Sequence, residues 1–255
     1  MVAPNGARRG KAQHPSLPIT EQELVQTAVN CQRVGADGIH IHIRDDDGHH
    51  MIDAGRYKAV LDLLAEEVPQ LYLQVTSEAA GRYSARDQQN MVKSLKPKHV
   101  SVAMREMVRT GTDWQQATEF YTWAEDNGIE IQHILYSTAE LNTFLSACSK
   151  GAIPGKHQLL QLVQGTYDGS ERSNPAKIGD FTKLIDNSDL SIDWGLCAFG
   201  VEETSCLVEA ARLGGKVRVG FENSLWNADG SLAKDNAARV TEVKTRIDAL
   251  DTNHP

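Results

Sequence analysis

The chain of 255 residues has few cysteines, and none of them lie close together in sequence. The four are Cys31, Cys148, Cys197 and Cys206. This spacing gives no support for a zinc knuckle or a Cys-x-x-Cys redox pair, and a reducing cytoplasm is the expected compartment. No window approaches ~18 consecutive apolar residues, so a membrane span is excluded. No apolar stretch follows the basic residues near the N-terminus, so a signal peptide is not expected.

An excess of basic residues is also absent. The formal net charge is -8, and the sequence has no local cluster of lysines and arginines. Both observations argue against nucleic acid as a partner. Hydrophobic residues make up 40% and charged residues 24% of the chain, as in an ordinary soluble enzyme. No linker or low-complexity tract divides the sequence, so residues 1–255 are predicted to form a single domain.

Apolar strand-like runs alternate with amphipathic helical stretches along the whole chain. Strands are predicted at 37–43, 71–75, 98–103, 129–135, 158–163, 191–198 and 216–221, and helices at 20–34, 55–67, 85–95, 113–127, 138–149, 178–187, 202–213 and 234–250. Such alternation indicates parallel strands joined by helical crossovers. An eighth strand is needed before residue 20, where residues 1–4 offer a stub. The pattern favours an α/β fold of the (β/α)8 barrel type over a doubly wound sheet.

The most informative segment is 35–45, where isoleucines alternate with His40 and His42. Side chains alternate across a strand, so both imidazoles face one side and lie about 6.6 Å apart along the chain. The segment then enters a turn, which puts the pair at the carboxyl end of the strand, where parallel α/β proteins bind ligands. We interpret the pair as metal ligands; a hydrogen-bonded or surface pair is the alternative.

A second segment, 214–224, places Arg218, Gly220 and Glu222 on one face of the last predicted strand. In a barrel the last strand closes against the first, beside the strand of the two histidines. Glu222 is therefore a candidate third metal ligand, with an Arg218–Glu222 ion pair as the alternative. The glycine between them favours a site, because a strand glycine often marks close approach of a ligand or another backbone. Two histidines and one carboxylate suit catalytic zinc and also iron(II); zinc is favoured here.

These segments resemble the β-keto acid cleavage enzymes, whose founding member is 3-keto-5-aminohexanoate cleavage enzyme. Members carry His-x-His-x-Arg-Asp after a Gly-Ala turn and Gly-Gly-x-x-Arg-x-Gly-x-Glu near the C-terminus, matched here at 35–45 and 214–222. Segments 17–23 and 194–200 are similar to the family too. The resemblance implies a (β/α)8 barrel, zinc held by two histidines and a glutamate, and a homo-oligomer such as a dimer or tetramer. It also implies a reaction in which a β-keto acid and acetyl-CoA give acetoacetate and a new acyl-CoA.

The resemblance assigns Arg218 as the catalytic arginine, which in the family works with an aspartate after the metal-binding glutamate. Here that position is Asn223, and an amide does not take a proton at neutral pH. Either another group acts as base, such as Asp45 or metal-bound hydroxide, or Asn223 only orients Arg218. Loss of the activity is the third alternative.

Substrate contacts are predicted from hydroxyls and from the N-terminal segment. Thr76 and Ser77 follow a strand where the family has hydroxyls that contact the substrate carboxylate, although Glu78 and Ala79 replace the family's glycines. Ser101 ends the next strand and is a similar candidate, or else a rim serine. The founding enzyme has an acidic residue matched to its substrate's ammonium group after a Gly-Ala pair.

In this chain Arg8 follows the Gly6-Ala7 pair. If Arg8 occupies the place of that acidic residue, a substrate with a distal carboxylate is favoured; an arginine that points to solvent is the alternative. Together with the resemblance, the sequence predicts a zinc-dependent acyltransferase. The prediction that acetyl-CoA binds rests on the resemblance alone. A keto-acid lyase or hydrolase without CoA and a silent metal- and ligand-binding barrel are the alternatives. The histidines at 49 and 50 follow three aspartates in a loop, and both are expected to be solvated.

Overall fold

Seven parallel strands form one curled sheet, whose order follows the chain. The structure is a computed structural model and describes residues 1–251. The strands are β1 (Gly38–Ile41), β2 (Ile43–Arg44), β3 (His50–Met51), β4 (Tyr72–Thr76), β5 (His99–Ala103), β6 (Glu130–Leu135), β7 (His157–Gln164), β8 (Ser191–Ala198) and β9 (Lys216–Val217). The order in the sheet is β1-β4-β5-β6-β7-β8-β9, and β2 pairs with β3 in a separate antiparallel ribbon.

Helices separate the strands of the sheet and cover its outer face. They are α1 (Glu21–Arg33), α2 (Ala54–Glu67), α3 (Ala85–Leu95), α4 (Met104–Met107), α5 (Trp114–Asp126), α6 (Thr138–Ser149), α7 (Ile178–Asp186), α8 (Glu203–Arg212) and α9 (Asn236–Asp251). Side-chain caps define where helices begin: Thr20 and Glu23 form a capping box at α1, and Ser137 accepts from the Glu140 amide in the first turn of α6. Within the described part of the chain, no helix is long and apolar enough to cross a membrane.

The N-terminal stub closes the sheet into a barrel. Val2 forms parallel bridges to Ile39 in β1 and to Val219 just beyond β9. Its amide donates to Gly38 at 2.8 Å, and its carbonyl accepts from His40 at 2.8 Å. Val2 therefore occupies the eighth strand position, and the predicted (β/α)8 barrel is confirmed, whereas a doubly wound sheet would leave two open edges.

Two predicted strands are shorter than expected. The strand predicted at 37–43 divides, because His42 lies between β1 and β2 without regular pairing. The strand predicted at 216–221 pairs regularly only at Lys216–Val217, and a turn begins at Gly220. The amides of Asn223 and Ser224 both donate to the Gly220 carbonyl in this turn. Both departures lie at the carboxyl end of the barrel, where functional side chains are expected.

The inward-facing positions of the barrel are unusually polar. Barrel interiors are usually filled by branched apolar side chains, but buried glutamines occur here at 74 and 161, together with Ser101 and Arg218. The apolar residues of alternate positions, such as Ile39 and Ile41, belong instead to the core between strands and helices. Stability therefore comes from the outer layer, and the interior is available for polar chemistry.

Candidate functional site

His40, His42 and Glu222 converge at the carboxyl end of the barrel. The Nε2 atoms of the two histidines are 3.1 Å apart. Glu222 Oε2 lies 3.2 Å from His42 Nε2 and 3.6 Å from His40 Nε2. All three side chains are buried, with Glu222 the most exposed at 6%. The three predicted metal ligands thus meet at one point, although Glu222 follows His42 by 180 residues in sequence.

Hydrogen bonding fixes the orientation of His40. Its Nδ1 lies 2.7 Å from Gln74 Oε1, an acceptor, so Nδ1 carries the proton and Nε2 keeps its lone pair toward the centre. Gln74 in turn donates to Gln132 Oε1 at 3.0 Å. Burial, followed by the charge of Arg218, lowers the pKa of His40 to about 3, so its imidazole is neutral at physiological pH. A neutral imidazole is the form that binds metals.

Glu222 uses its two oxygens for different tasks. Oε1 accepts from Arg218 Nη2 at 2.9 Å, whereas Oε2 faces the histidines and has no hydrogen-bond partner. Burial alone would raise the pKa of Glu222, but Arg218 and the two histidines hold it well below its usual range. The ion pair predicted as an alternative is therefore present, and it leaves one carboxylate oxygen free for a ligand.

The donor set fits a divalent metal ion. Zinc ligands lie about 2.0–2.2 Å from the ion, and a tetrahedral arrangement therefore separates them by roughly 3.3 Å. The observed separations of 3.1, 3.2 and 3.6 Å agree with that value. A buried carboxylate oxygen without a partner is costly, and a cation between the three groups would satisfy it. His40, His42 and Glu222 would hold such an ion and leave a coordination position open.

Arg218 and Asn223 lie directly beside this centre. Arg218 Nη2 contacts Asn223 Oδ1 at 3.4 Å and Cys197 Sγ at 3.3 Å, in addition to Glu222. Asn223 is completely buried, and its Nδ2 has no partner. The amide thus meets the guanidinium through its oxygen, as a neutral acceptor.

Gly220 allows the turn that carries Glu222. Its φ is +140°, and a Cβ there would lie 2.5 Å from the backbone oxygen of Ala3. The predicted close approach is therefore made by the N-terminal stub. Phe221 is held by its amide, which donates to Asn236 Oδ1 at 2.9 Å.

Gly220→Ala is expected to lower the free energy of unfolding by about 2–4 kcal/mol, because strain and a backbone clash add. Gly214→Ala is the matched control: its φ is +83°, but a Cβ there meets nothing within 4 Å. Only strain applies at that position, with a cost of about 1 kcal/mol. Denaturant unfolding of both variants measures the difference, and equal losses would contradict the assigned contact with Ala3.

The predicted hydroxyl residues lie on two adjacent strands. Thr76 pairs with Ser101 in register, and their Oγ atoms are 3.4 Å apart in the barrel interior. Ser77 points the other way: its Oγ donates to the Ser101 carbonyl at 3.0 Å and lies 3.3 Å from the side-chain amide of Gln88. Thr76 and Ser101 are thus inward-facing, whereas Ser77 holds the loop after β4 in position.

The N-terminal segment crosses the barrel mouth. Arg9 donates to the carbonyls of Phe221 and Glu222 at 2.6 and 2.8 Å. Arg8 is exposed, and its guanidinium carbon lies 5.3 Å from the centroid of the Tyr167 ring. Arg8 thus lies at the entrance of the site rather than in its buried centre.

The sequence-based prediction missed Glu78 and misjudged His50. Glu78 Oε2 lies 3.8 Å from His42 Nδ1, and its side chain is 24% exposed. Burial raises the pKa of this carboxyl. His50, expected to be solvated, is buried and contacts the His42 ring at a centroid distance of 5.1 Å. His50 lies in β3, which pairs with β2 and so returns the chain to the site. The aspartates between these two strands are typical of a loop, so the hairpin was not predicted.

Asp45, one of the groups predicted as an alternative base, points away from the site. Its carboxylate accepts from the amides of Asp47 and His49 in the turn between β2 and β3. The backbone bonds and the neighbouring His49 lower its pKa, which opposes a role in taking up protons.

A separate cavity lies at the opposite end of the barrel. It measures about 700 Å³ and is lined by the first residues of several strands, among them Gly38, Tyr72, Glu130 and Lys216. His40, His42 and Glu222 are not among its lining residues. We assign the site by the donor chemistry rather than by cavity size, since catalytic residues of such barrels lie at the carboxyl ends of the strands.

Comparison with known proteins agrees with this geometry. The family model for beta-keto acid cleavage enzymes matches residues 1–253. A 3-keto-5-aminohexanoate cleavage enzyme from Acetoanaerobium sticklandii is 26% identical over 245 residues, covering 93% of this chain and 87% of the relative. A 3-oxoadipate:acetyl-CoA acetyltransferase from Cupriavidus necator is 24% identical over 247 residues, covering 95% and 85%.

A solved structure shows the same fold. A ternary complex of ObcA with a C4-CoA adduct and oxalate has a TM-score of 0.72 at 16% identity, with 93% of this chain covered. This chain spans 65% of that protein's length. Similarity at this identity shows the barrel alone, whereas the family model covers nearly every residue. The chain belongs to the β-keto acid cleavage enzyme family.

Proposed function

We propose that this protein is a zinc-dependent acyltransferase that exchanges acyl groups between a β-keto acid and acetyl-CoA. The observation that carries the proposal is the buried convergence of His40, His42 and Glu222, with one carboxylate oxygen unpartnered, beside Arg218. Family membership and relatives named as acetyl-CoA transferases support the same reaction class. Acetyl-CoA and a small β-keto acid are the proposed substrates.

The proposed reaction conserves all atoms and charges. A proton leaves the carbon between the two carbonyl groups of the β-keto acid, and this carbon attacks the acetyl thioester and releases CoA as thiolate. The thiolate then attacks the original keto carbon, and the bond to the central carbon breaks. The products are an acyl-CoA and acetoacetate, which regains the proton.

The chain's own residues would bind and polarise the substrate. His40, His42 and Glu222 would hold a divalent ion, which would supply Lewis-acid chemistry for the keto oxygen. Thr76 and Ser101 offer inward hydroxyls for the substrate carboxylate, and Ser77 supports their loop; Ser77 as a direct contact remains a prediction.

Glu78 is the carboxylate that we propose as the proton acceptor. It lies beside the site on the loop after β4, where its Oε2 is 3.8 Å from Nδ1 of the ligand His42. Asn223 cannot accept a proton, and Glu222 is committed to Arg218. Glu78 makes no hydrogen bond through its carboxylate among the described residues, so its oxygens are free to receive one. Its amide is held by Thr76 Oγ1 at 3.1 Å, which keeps the residue in place.

Arg218 would stabilise the negative charge that develops when the proton leaves. Its guanidinium is buried next to Glu222 and is held by Asn223, so little reorganisation accompanies the reaction. In this arrangement Asn223 orients the arginine as a neutral acceptor and takes no proton.

Arg8 would select the distal group of the substrate. It is exposed at the mouth, and a guanidinium pairs with a carboxylate through two parallel hydrogen bonds. We therefore propose a dicarboxylic β-keto acid as the natural substrate. The relative named for 3-oxoadipate, a compound of this class, is consistent with that choice.

Incubation with doubly ¹³C-labelled acetyl-CoA and a panel of β-keto acids tests the proposal. Mass spectrometry is expected to find both labels in acetoacetate and an unlabelled new acyl-CoA, fastest with dicarboxylic members. Cleavage without CoA would favour a lyase or hydrolase. No product from any member, with metal bound, would contradict the transferase and favour a silent binding barrel.

We also propose a single domain, a homo-oligomer, a cytoplasmic location and zinc rather than iron(II) as the bound metal. Elemental analysis of purified protein would test the identity of the metal, and its mass in solution would test the oligomer.

A further inference from the structure

Tyr167 presents its ring at the barrel mouth on a hydrogen-bonded turn that follows β7. Asp168 organises the turn, since its Oδ1 accepts from the Thr166 hydroxyl at 2.7 Å and from the Ser170 amide at 3.0 Å. The Tyr167 ring packs against Phe199 with a centroid distance of 4.6 Å. The guanidinium groups of Arg8 and Arg9 lie 5.3 and 5.2 Å from the ring centroid. The ring is therefore fixed by its neighbours and not by its hydroxyl.

The hydroxyl of Tyr167 is buried and has no hydrogen-bond partner among residues 1–251. Buried polar groups are nearly always satisfied, so such an exception in a site calls for an absent partner. Burial raises the pKa of Tyr167, with Glu222 and Glu78 adding to the effect, so the phenol stays protonated and can donate a hydrogen bond.

Gly6 brings this hydroxyl close to the candidate metal centre. A Cβ on Gly6 would lie 2.5 Å from Tyr167 Oη and 2.5 Å from Glu222 Cγ, so no more than about 5 Å separates these two atoms. Gly6 adopts a φ of +62°, and its carbonyl accepts from the buried Arg44. The backbone at Gly6 therefore sets the spacing between the phenol and the metal-facing glutamate.

We propose that Tyr167 Oη is a substrate-binding hydrogen-bond donor, which contacts an oxygen of the β-keto acid held at the centre of His40, His42 and Glu222. The ligand class is an oxyanion or polarised carbonyl, because the phenol is protonated and needs an acceptor. This inference rests on the proposed function and adds a catalytic residue for it on the side of the centre that Gly6 and Glu222 flank.

Tyr167→Phe removes the hydroxyl and keeps the ring contacts with Phe199 and the two arginines. Tyr121→Phe is the matched control, because Tyr121 Oη is also buried without a partner but lies in α5, packed against His133 at 5.1 Å. Turnover, calorimetric binding of acetoacetate, metal content and thermal unfolding are measured for both variants and the wild type.

For Tyr167→Phe we expect kcat/KM to fall by about 10²-fold, a typical loss for one oxyanion donor. The Kd for acetoacetate is expected to rise about tenfold, as for one lost hydrogen bond to a charged group. Metal content and unfolding temperature stay at the wild-type level, since no protein hydrogen bond is lost. Tyr121→Phe is expected to match the wild type in all four measurements.

An active wild type whose Tyr167→Phe variant keeps full turnover and acetoacetate affinity would overturn the inference alone. A lower unfolding temperature with proportionate loss of activity would overturn it too, in favour of a structural role. A wild type that neither turns over nor binds acetoacetate would overturn the proposed function, and the inference with it.

Discussion

His42→Ala is expected to abolish stoichiometric metal binding and to lower kcat/KM by at least about 10³-fold, since a bound cation contributes several kcal/mol to the transition state. His42 Nε2 is 3.1 Å from His40 and 3.2 Å from Glu222, so its removal opens one side of the donor set. Elemental analysis and acetoacetate formation measure the two losses. His42 Nδ1 has no hydrogen-bond partner, so no other bond is broken.

His133→Ala controls for the loss of a buried histidine. His133 is also buried with an unpartnered Nδ1, but it packs against Phe144 on the helical side of the sheet, at 4.8 Å. This variant is expected to lose stability and keep its metal. If His42→Ala retained full metal content, the three residues would not be the ligand set.

Glu78→Gln is expected to lower kcat by about 10²- to 10⁴-fold, the range for loss of a general base, with metal content unchanged. The amide keeps the size of the side chain and removes its ability to take a proton. Asp45→Asn is the matched control, because Asp45 is the carboxylate turned away from the site; it is expected to retain wild-type kcat. Stopped assays of acetoacetate at saturating substrates provide the measurement.

Two further measurements separate Glu78 from its rivals. Burial raises the pKa of Glu78 above its usual 4.5, so wild-type activity is expected to fall as pH drops through a value above 4.5, where the base becomes protonated. This acidic limb should vanish in Glu78→Gln. Asn223→Asp is expected to leave the rate little changed; a large gain would instead show that the chain lacks a base, with Glu78 not filling the role.

The histidine pair and the barrel were predictable because both depend on short periodicities. His40 and His42 alternate with isoleucines, and period two puts them on one face before any tertiary structure is known. The order of apolar runs predicted the closed sheet in the same way. The stub at Val2 was predictable only as a missing strand, since a single bridging residue carries no pattern of its own.

The second half of the site depended on contacts that local sequence does not specify. Glu222 was predicted as a ligand from the alternation of side chains along a strand, yet it lies in a turn. The regular pairing ends before it because the backbone at Gly220 lies close to the Ala3 carbonyl. Glu78 and Tyr167 lie on loops, where no period indicates which side chain faces inward. Burial of His50 required the β2–β3 hairpin, which the acidic turn between those strands concealed.

The polar side chains inside the barrel serve the candidate site at some cost in stability. Gln74 is fully buried and serves His40, and Arg218 is buried to serve Glu222. Unpartnered groups remain at Arg218 Nε and Asn223 Nδ2, each of which lowers stability unless bound substrate or water satisfies it. Such unsatisfied groups concentrate at functional sites, where stability is exchanged for reactivity.

Titration of metal-free protein with zinc, followed by acetoacetate formation from acetyl-CoA and a dicarboxylic β-keto acid, tests the central claim most directly. We expect no activity without metal and a rise in proportion to zinc until one ion is bound per chain, with His42→Ala unresponsive throughout. Full turnover by metal-free protein, or a zinc-loaded chain that forms no acetoacetate, would contradict it.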